Sequence, residues 1–152
     1  MAITNADARQ QLLDAVAEAT DDIGVALGSL GEAYERVDEQ TADRLEQELF
    51  RPVQRAYGRA QRTHSEFATR HGLPVRRFEP ASQVAPSHGV KELLDGAVDA
   101  VARADGTLST LQDSMLPVEF GDAELRADLQ AVRELLGDLR PRAREIVRTL
   151  GR

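Results

Sequence analysis

The chain has no cysteine and no tryptophan among its 152 residues, and aromatic residues make up only 4% of it. The absence of cysteine excludes disulfides, thiolate metal sites and cysteine nucleophiles, and it leaves the redox compartment open. With so few rings available, the sequence predicts a core of aliphatic side chains and alanine. A chain of this length typically forms one domain, here residues 1–152.

Long apolar runs are missing as well. The first ten residues, MAITNADARQ, contain no apolar run, and the stretch IGVALGSLG is only nine residues long. A membrane-spanning helix needs about 20 predominantly apolar residues, and a signal peptide needs an apolar stretch of its own. We therefore expect no membrane insertion and no secretory signal, which leaves a cytoplasmic location as the default prediction.

Charge is distributed unevenly along the chain, and basic residues are scarce in its first third. The formal net charge is −7; residues 1–50 hold twelve acidic and three basic residues, whereas residues 51–78 hold seven arginines and one acid. Because neutralisation of phosphates drives nucleic-acid binding, a chain this acidic is not expected to bind nucleic acid. The basic middle can still meet an anionic partner locally.

Apolar residues follow a 3-4 rhythm in four segments of the chain. These seams run from Leu12 to Val37, from Ala42 to Phe67, from Val90 to Met115 and from Leu125 to Leu150. A period of about 3.5 residues is typical of long helices that pack through continuous apolar seams. The sequence predicts an all-α fold, specifically a four-helix antiparallel bundle made of two helical hairpins joined by a proline-containing linker.

Capping residues predict where the helices begin and end. Asp38 or Thr41 can cap a second helix after a tight turn, and Ser87 and Asp122 can cap the third and fourth. Gly72 suits the left-handed position that follows a helix, and Leu73 and Pro74 come directly after it.

Proline residues mark three interruptions. Pro117 is expected to end the third helix, and Pro52 and Pro141 should each kink or interrupt a helix, because proline removes a hydrogen-bond donor from its turn. A gap beside Pro52 or Pro141 would suit a small-molecule sensor, which is one alternative function and predicts an apolar cavity there.

These boundaries give hairpins at 5–71 and 87–150, joined by a linker at 73–86. Its fourteen residues reach about 46 Å when extended, and a thirty-residue helix is about 45 Å long. The linker can therefore cross the whole bundle and set the second and third helices parallel, or loop out and allow an up-down-up-down order. We favour looping out. The linker residues expected to cover one end of the core are Val75, Phe78 and Val84.

The predicted core lacks catalytic and metal-binding groups. Thr63 is the one seam residue that is not apolar, and none of the three histidines has a glutamate three residues before it, the spacing used by di-iron helical bundles. No glycine-rich phosphate loop, Gly-x-Ser-x-Gly or His-Glu-x-x-His sequence occurs. We expect a non-enzymatic protein with no cofactor.

The segment FRPVQRAYGRAQRTHSEFATRHG, residues 50–72, carries two stripes of larger side chains. The rings recur every seven residues at Phe50, Tyr57, His64 and His71. The arginines between them are Arg51, Arg55, Arg59 and Arg62. On a helix the arginines point away from the seam, and the rings lie about a quarter turn from it.

Three interpretations of these stripes remain open. The rings can be half-buried residues at the edge of the core. They can instead be anchors of a protein-binding site whose arginines pair with carboxylates, on an unrelated partner or on the first helix of another copy. The candidate carboxylates there are Asp14, Glu18, Asp21, Asp22, Glu32 and Glu35. A metal shared by His64 and His71 is disfavoured, since seven residues separate them by about 10 Å.

Two short segments resemble parts of known families. SHGVKELLDG places His88 three residues before Lys91 and is similar to the start of the histidine phosphotransfer-domain pattern, with Glu92 where that pattern has glycine. The resemblance implies a four-helix signalling domain with His88 as phosphate acceptor. YERVDEQ places Asp38 four residues after Tyr34 and resembles the Tyr-x-x-x-Asp export signal of type VII secretion substrates, which implies an exported helical hairpin.

The interpretation we favour is a protein-interaction or oligomerisation module. A protein partner or a second copy would dock over the two stripes, with the rings at the centre and the arginines at the rim. The predicted partner-binding residues are Phe50, Arg51, Arg55, Tyr57, Arg59, Arg62, His64 and His71.

Overall fold

A computed structural model describes residues 4–80 and 89–150, and every regular element within those two ranges is helical. The helices are α1 (Asn5–Tyr34), α2 (Glu39–Leu45), α3 (Arg51–Arg70), α4 (Val90–Asp113), α5 (Leu116–Glu119), α6 (Ala123–Leu136) and α7 (Leu139–Leu150). A π-helical turn, Glu46–Phe50, joins α2 to α3 without a break. The all-α prediction is confirmed for the described residues.

The predicted seams form the core. Their side chains are buried except near the ends of the segments, where Val37 and Val90 are half-buried and Met115 and Leu150 are exposed. The largest fully buried side chain is Phe67, and nearly all the others are aliphatic. Two buried hydroxyl groups are satisfied within their own helix: those of Thr20 and Thr63 donate to carbonyl oxygens four residues earlier.

Several predicted helix ends are confirmed. The carboxylates of Asp38 and Asp122 accept hydrogen bonds from the third amide after each, at 2.7 and 2.8 Å, as N-caps do. Gly72 has φ +68°, and the amide of Leu73 donates to Ala68 at 2.8 Å, which closes α3 as the glycine predicted. Ser87 lies outside the described residues; Gly89 occupies the N-cap position of α4.

The prolines interrupt the helices in different ways. Pro52 is the second residue of α3, just after the π-helical turn, whereas a break after Leu136 precedes Pro141 and separates α6 from α7. The prediction that the third helix ends at Pro117 is wrong by four residues, because the helix ends at Asp113. There the hydroxyl of Ser114 donates to Leu111 and accepts from the amide of Leu116, so the side chain replaces helical hydrogen bonds.

Contacts show where α1 meets α3 and fix the direction of α4. Gly24 of α1 lies beside Tyr57 of α3, so the middles of these two helices meet. Asp22 pairs with Arg103, and Ser29, seven residues on, lies beside Gly96, seven residues back, so α4 runs antiparallel to α1. Of all helix pairs, α1 and α4 share the most extensive contact.

The last two helices, α6 and α7, pack against α3 and α4. Arg70 pairs with Asp122 and Arg59 with Asp128, so α6 runs antiparallel to α3. The ion pair between Arg133 and Asp105 and the packing of α7 on the start of α4 place the α6–α7 segment along α4 as well.

The described part of the linker, residues 73–80, lies lengthwise over the groove between α1 and α3, and we call it the strap. Arg76 pairs with Asp21 at 2.9 Å, and Phe78 packs against His64. The expectation that the linker loops out and covers one end of the core is therefore wrong for these residues. The reason is that Phe78 reaches the middle of α3, while Val75 stays 58% exposed. Val84 lies outside the described residues.

In the two ranges that the structure describes, no helix combines the length and the apolar content that crossing a lipid bilayer requires.

Candidate protein-docking site

The ring stripe of α3 is buried at its centre and half-buried at its ends. Tyr57 is 7% exposed and His64 is 3% exposed, whereas Phe50 and His71 are half-buried. The half-buried interpretation is therefore right for Phe50 and His71 and wrong for the other two. The strap accounts for the difference, because it covers the groove in which Tyr57 and His64 lie.

Tyr57 packs under the strap against a glycine. A methyl group at Gly24 would lie 3.3 Å from Cε1 of the Tyr57 ring and 3.5 Å from Cα of Pro80, so the absent side chain makes room for the ring. The Tyr57 hydroxyl is buried and has no hydrogen-bond partner in the described part of the chain. Burial raises the pKa of Tyr57, and the nearby Asp21 carboxylate raises it further.

His64 lies one helical turn before Phe67 on α3, and Phe78 of the strap covers it. Its ring meets Phe78 edge-on, with centroids 5.2 Å apart, and its buried Nδ1 has no hydrogen-bond partner among the described residues. Burial lowers the pKa of His64, and the Arg76 guanidinium lowers it too, while Asp14 opposes both. Burial and Arg76 thus favour the neutral imidazole.

His71 and Arg70 hold the end of α3 to the start of α6. Asp122 accepts hydrogen bonds from Arg70 at 2.9 and 3.0 Å and lies 3.1 Å from Nε2 of His71, whose ring packs on Phe67. Burial alone would raise the pKa of Asp122, but the hydrogen bonds from Arg70, the Leu125 amide and His71 outweigh it and lower the pKa to about 2.

The structure does not bring His64 and His71 together as metal ligands. His64 contacts the strap, and His71 contacts Asp122. No cluster of three or more histidines and carboxylates suited to a metal ion occurs within residues 4–80 and 89–150.

The arginine stripe divides into one paired and three unpaired residues. Arg59 donates to Asp128 of α6 at 3.0 Å. Arg51, Arg55 and Arg62 are exposed, and none makes an ion pair with the rest of the described chain. Arg77 of the strap, likewise exposed, lines a groove together with Arg62. The outward side of α3 thus keeps its positive charge.

Some of the acidic residues proposed as partners for the arginine stripe already form ion pairs with arginines of the same chain. Asp21 pairs with Arg76, Asp22 with Arg103 and Glu32 with Arg36. The others are Asp14, which accepts from Gln10, and the exposed Glu18 and Glu35.

The structure adds little support for the two sites that the family resemblances suggested. His88 lies outside the described residues, and Lys91 pairs with Asp95 one turn further on. Tyr34 is the last residue of α1 and 38% exposed, while Asp38 is the cap of α2.

The groove beside Pro141 is not the apolar cavity that a ligand sensor predicts. It is open, and the other residues that line it are all polar: Arg44, Gln47, Glu48, Arg142 and Glu145. Ligand pockets are mostly apolar and enclose most of the ligand surface.

Four residues that hold α3 were not predicted as part of the site: two lie in the linker just after α3, and two lie more than fifty residues after the end of α3. They are Arg76 and Phe78 of the strap, and Asp122 and Asp128 of α6, which fix the ends and flanks of α3. The sequence did contain one indication of these contacts. Phe78 is the only aromatic residue of the linker and follows two arginines, and the first helix, on which this part of the linker packs, is acidic.

No family model, no curated protein and no solved structure matches this chain.

Proposed function

We propose that the chain is a non-enzymatic protein-interaction module that docks an acidic surface of a protein partner on the outward side of α3. The single observation that supports this most is the row of three exposed guanidinium groups, Arg51, Arg55 and Arg62, without carboxylate partners in the described residues. Other arginines of the same region, Arg59 and Arg70, do have such partners.

The three arginines occupy one narrow stripe. Their spacings of four and seven residues place them within about 40° of one another at 100° per residue, and about 6 and 10.5 Å apart along the axis. Gly58 lies between Arg55 and Arg62 on the same side, so no bulky side chain screens the middle of the row. Guanidinium groups pair with carboxylates in a bidentate way, which favours an acidic protein surface as the partner.

The ring residues have a different role in this proposal. Tyr57 and His64 are buried, so they position α3 against α1 and the strap instead of serving as anchors. Phe50 directly precedes α3 and His71 directly follows it; both are half-buried, so they are the two rings of the stripe that stay partly accessible.

The proposal includes a four-helix antiparallel bundle as the scaffold. Its four long helical segments would be α1, the α2–α3 segment, α4 and the α6–α7 segment. The strap would lead from the second segment towards the third. The ion pairs between α1 and α4, between α3 and α6 and between α4 and α6 support this order. A rigid scaffold of this kind would hold the arginine row straight. The acidic net charge supports a protein partner over nucleic acid, and the cytoplasm remains the proposed location.

Reversing the charge of two row residues tests the proposal. Arg55→Glu with Arg62→Glu should abolish capture of the partner from an extract of the source cells and any self-association seen by sedimentation velocity. Helicity by circular dichroism should stay unchanged, because neither arginine has an ion pair to lose within residues 4–80 and 89–150. Arg59 is left intact, since a carboxylate at that position would face Asp128.

A control for the change in net charge uses a second pair of exposed arginines, which are four residues apart instead of seven. Arg140→Glu with Arg144→Glu makes the same change in net charge on α7. Partner capture should survive in this control. Equal loss in both variants would mean that only net charge matters, and no loss in either would exclude the α3 row.

A further inference from the structure

We infer that the strap is a pH-sensitive cover over Tyr57 and His64, which lifts when His64 takes up a proton. The inference rests on how the strap is attached, on what lies beneath it and on which charges surround His64.

The strap is not part of any helix or strand. Residues 73–80 are irregular, and no backbone hydrogen bond beyond that of Leu73 ties them to α1 or α3 within the described residues. Arg76 pairs with Asp21, Phe78 packs on His64, and Pro80 lies beside Gly24. Arg76 and Asp21 are each about half exposed, so solvent screens their attraction. A segment attached in this way can detach without unfolding the helices.

Two polar atoms beneath the strap lack partners. The Nδ1 of His64 and the hydroxyl of Tyr57 are both buried, and neither has a hydrogen bond in the described part of the protein. Buried polar atoms without partners are costly and uncommon in folded proteins. Both atoms would reach water once the strap lifts, so the closed arrangement is poised to open.

The charged groups around His64 come from two elements. The strap contributes Arg76, whose guanidinium lies 4.7 Å from the centroid of the Phe78 ring that His64 also touches. From α1, three carboxylates line the same groove, those of Asp14, Glu18 and Asp21. A proton on His64 would therefore place a second cation against a ring that already carries one.

Lifting the strap makes protonation of His64 more favourable. Arg76 and Phe78 would leave with the strap, whereas Asp14 and Glu18 would remain on α1 beside an imidazole now open to water. Because burial lowers the pKa of His64 in the closed form, and Arg76 lowers it further, the open form binds the proton more tightly. The closed form is favoured above pH 6.5, the ordinary pKa of histidine, and loses ground as the pH falls below that value.

Opening would expose a second surface of α3. Tyr57 and His64 lie on the side of α3 away from the arginine row, so an open strap would present two rings there and leave the arginine row unchanged. The movement of the strap does not depend on the proposed function.

A single tryptophan can report the movement, because the chain has none. In the Phe78→Trp protein we expect the emission maximum to shift to longer wavelength between pH 7.5 and pH 5, with a midpoint below 6.5. Circular dichroism at 222 nm should stay constant over the same range. A constant emission maximum, or a loss of helicity at the same midpoint, would overturn the inference.

Three further variants carrying the same tryptophan identify the titrating group. His64→Gln should lose the shift, whereas His71→Gln, on the same helix but paired with Asp122, should keep it. A shift that persists in His64→Gln contradicts the role of His64. Asp21→Asn weakens the strap without touching the core, so its midpoint should move to higher pH; an unchanged midpoint contradicts the described attachment.

Discussion

The two sides of α3 carry large side chains at the same spacing, yet they differ in what covers them. On one side Tyr57 and His64 are buried beneath the strap; on the other Arg55 and Arg62 are exposed and unpaired within the described chain. The side chains of the covered side pack inside the fold, whereas those of the open side remain exposed. The comparison shows that a regular stripe of side chains indicates a binding surface only after the segments that pack on it are known.

Deleting a ring from the core seam of α3, next to the covered side, should have the largest effect. Phe67 is fully buried and contacts His71, so Phe67→Ala should lower the free energy of unfolding by about 3–5 kcal/mol. A truncation on the open side, Arg62→Ala, should alter it by less than about 0.5 kcal/mol. Urea unfolding of both variants measures the difference, and similar values would mean that the open side is packed like the core.

The junction at the end of α3 should give the next largest effect. Asp122→Ala removes the cap of α6 and the partner of Arg70 and His71, at a cost of about 1–2 kcal/mol once solvent screening is considered. Because its pKa is lowered from 3.8 to about 2, this contribution is present above pH 4 and lost as the pH falls through 2.

Urea titrations at pH 6 and pH 2.5 test both parts of that prediction. The destabilisation by Asp122→Ala should shrink at the lower pH. Asp43→Asn, an exposed carboxylate of α2, is the control and should show no comparable change. A cost that does not vary with pH would rule out the ionised carboxylate as its source.

Glycines on the two sides offer a smaller contrast. Gly58→Ala on the open side should stabilise the protein by about 0.5–1 kcal/mol through helix propensity, since the new methyl group meets only the end of Arg62 at 3.6 Å. Gly24→Ala places a methyl group 3.3 Å from Tyr57 under the strap, so its gain should be smaller. Thermal unfolding of both variants gives the order, and a larger gain at Gly24 would contradict the close packing there.

The smallest expected effect separates the paired arginine from its unpaired neighbours. Arg59→Glu should cost about 0.5–1 kcal/mol, because its ion pair with Asp128 becomes a repulsion, whereas Arg55→Glu should change little. The difference should narrow in 1 M salt. If Arg55→Glu costs as much as Arg59→Glu, then Arg55 has a partner and the arginine row is not free.

The helices and their ends could be predicted from the sequence because their causes are local. Apolar periodicity identified the buried side chains from Leu12 to Ile146, and single residues such as Asp38, Gly72 and Asp122 marked the ends. Each of these signals acts within a few residues of the feature it predicts.

The candidate site was less predictable because it depends on an irregular segment, the strap, and on residues of α6 that are distant in the chain. Periodicity placed Tyr57 and His64 a quarter turn from the core, but it carries no information about an irregular segment that packs over them. Likewise, Arg59 and Arg62 look equivalent in the sequence, and only the position of Asp128, sixty-nine residues after Arg59, distinguishes them.

The extensive contact between α1 and α4 has a consequence during synthesis. The side of α1 that packs on α4 stays bare after α3 has left the ribosome, until α4 has followed it. At translation rates of about 5–20 residues per second, the roughly 40 residues from Arg70 to Asp113 take about 2–8 s. Over that interval the nascent chain presents an apolar strip, which makes the emerging first hairpin a natural client for ribosome-associated chaperones.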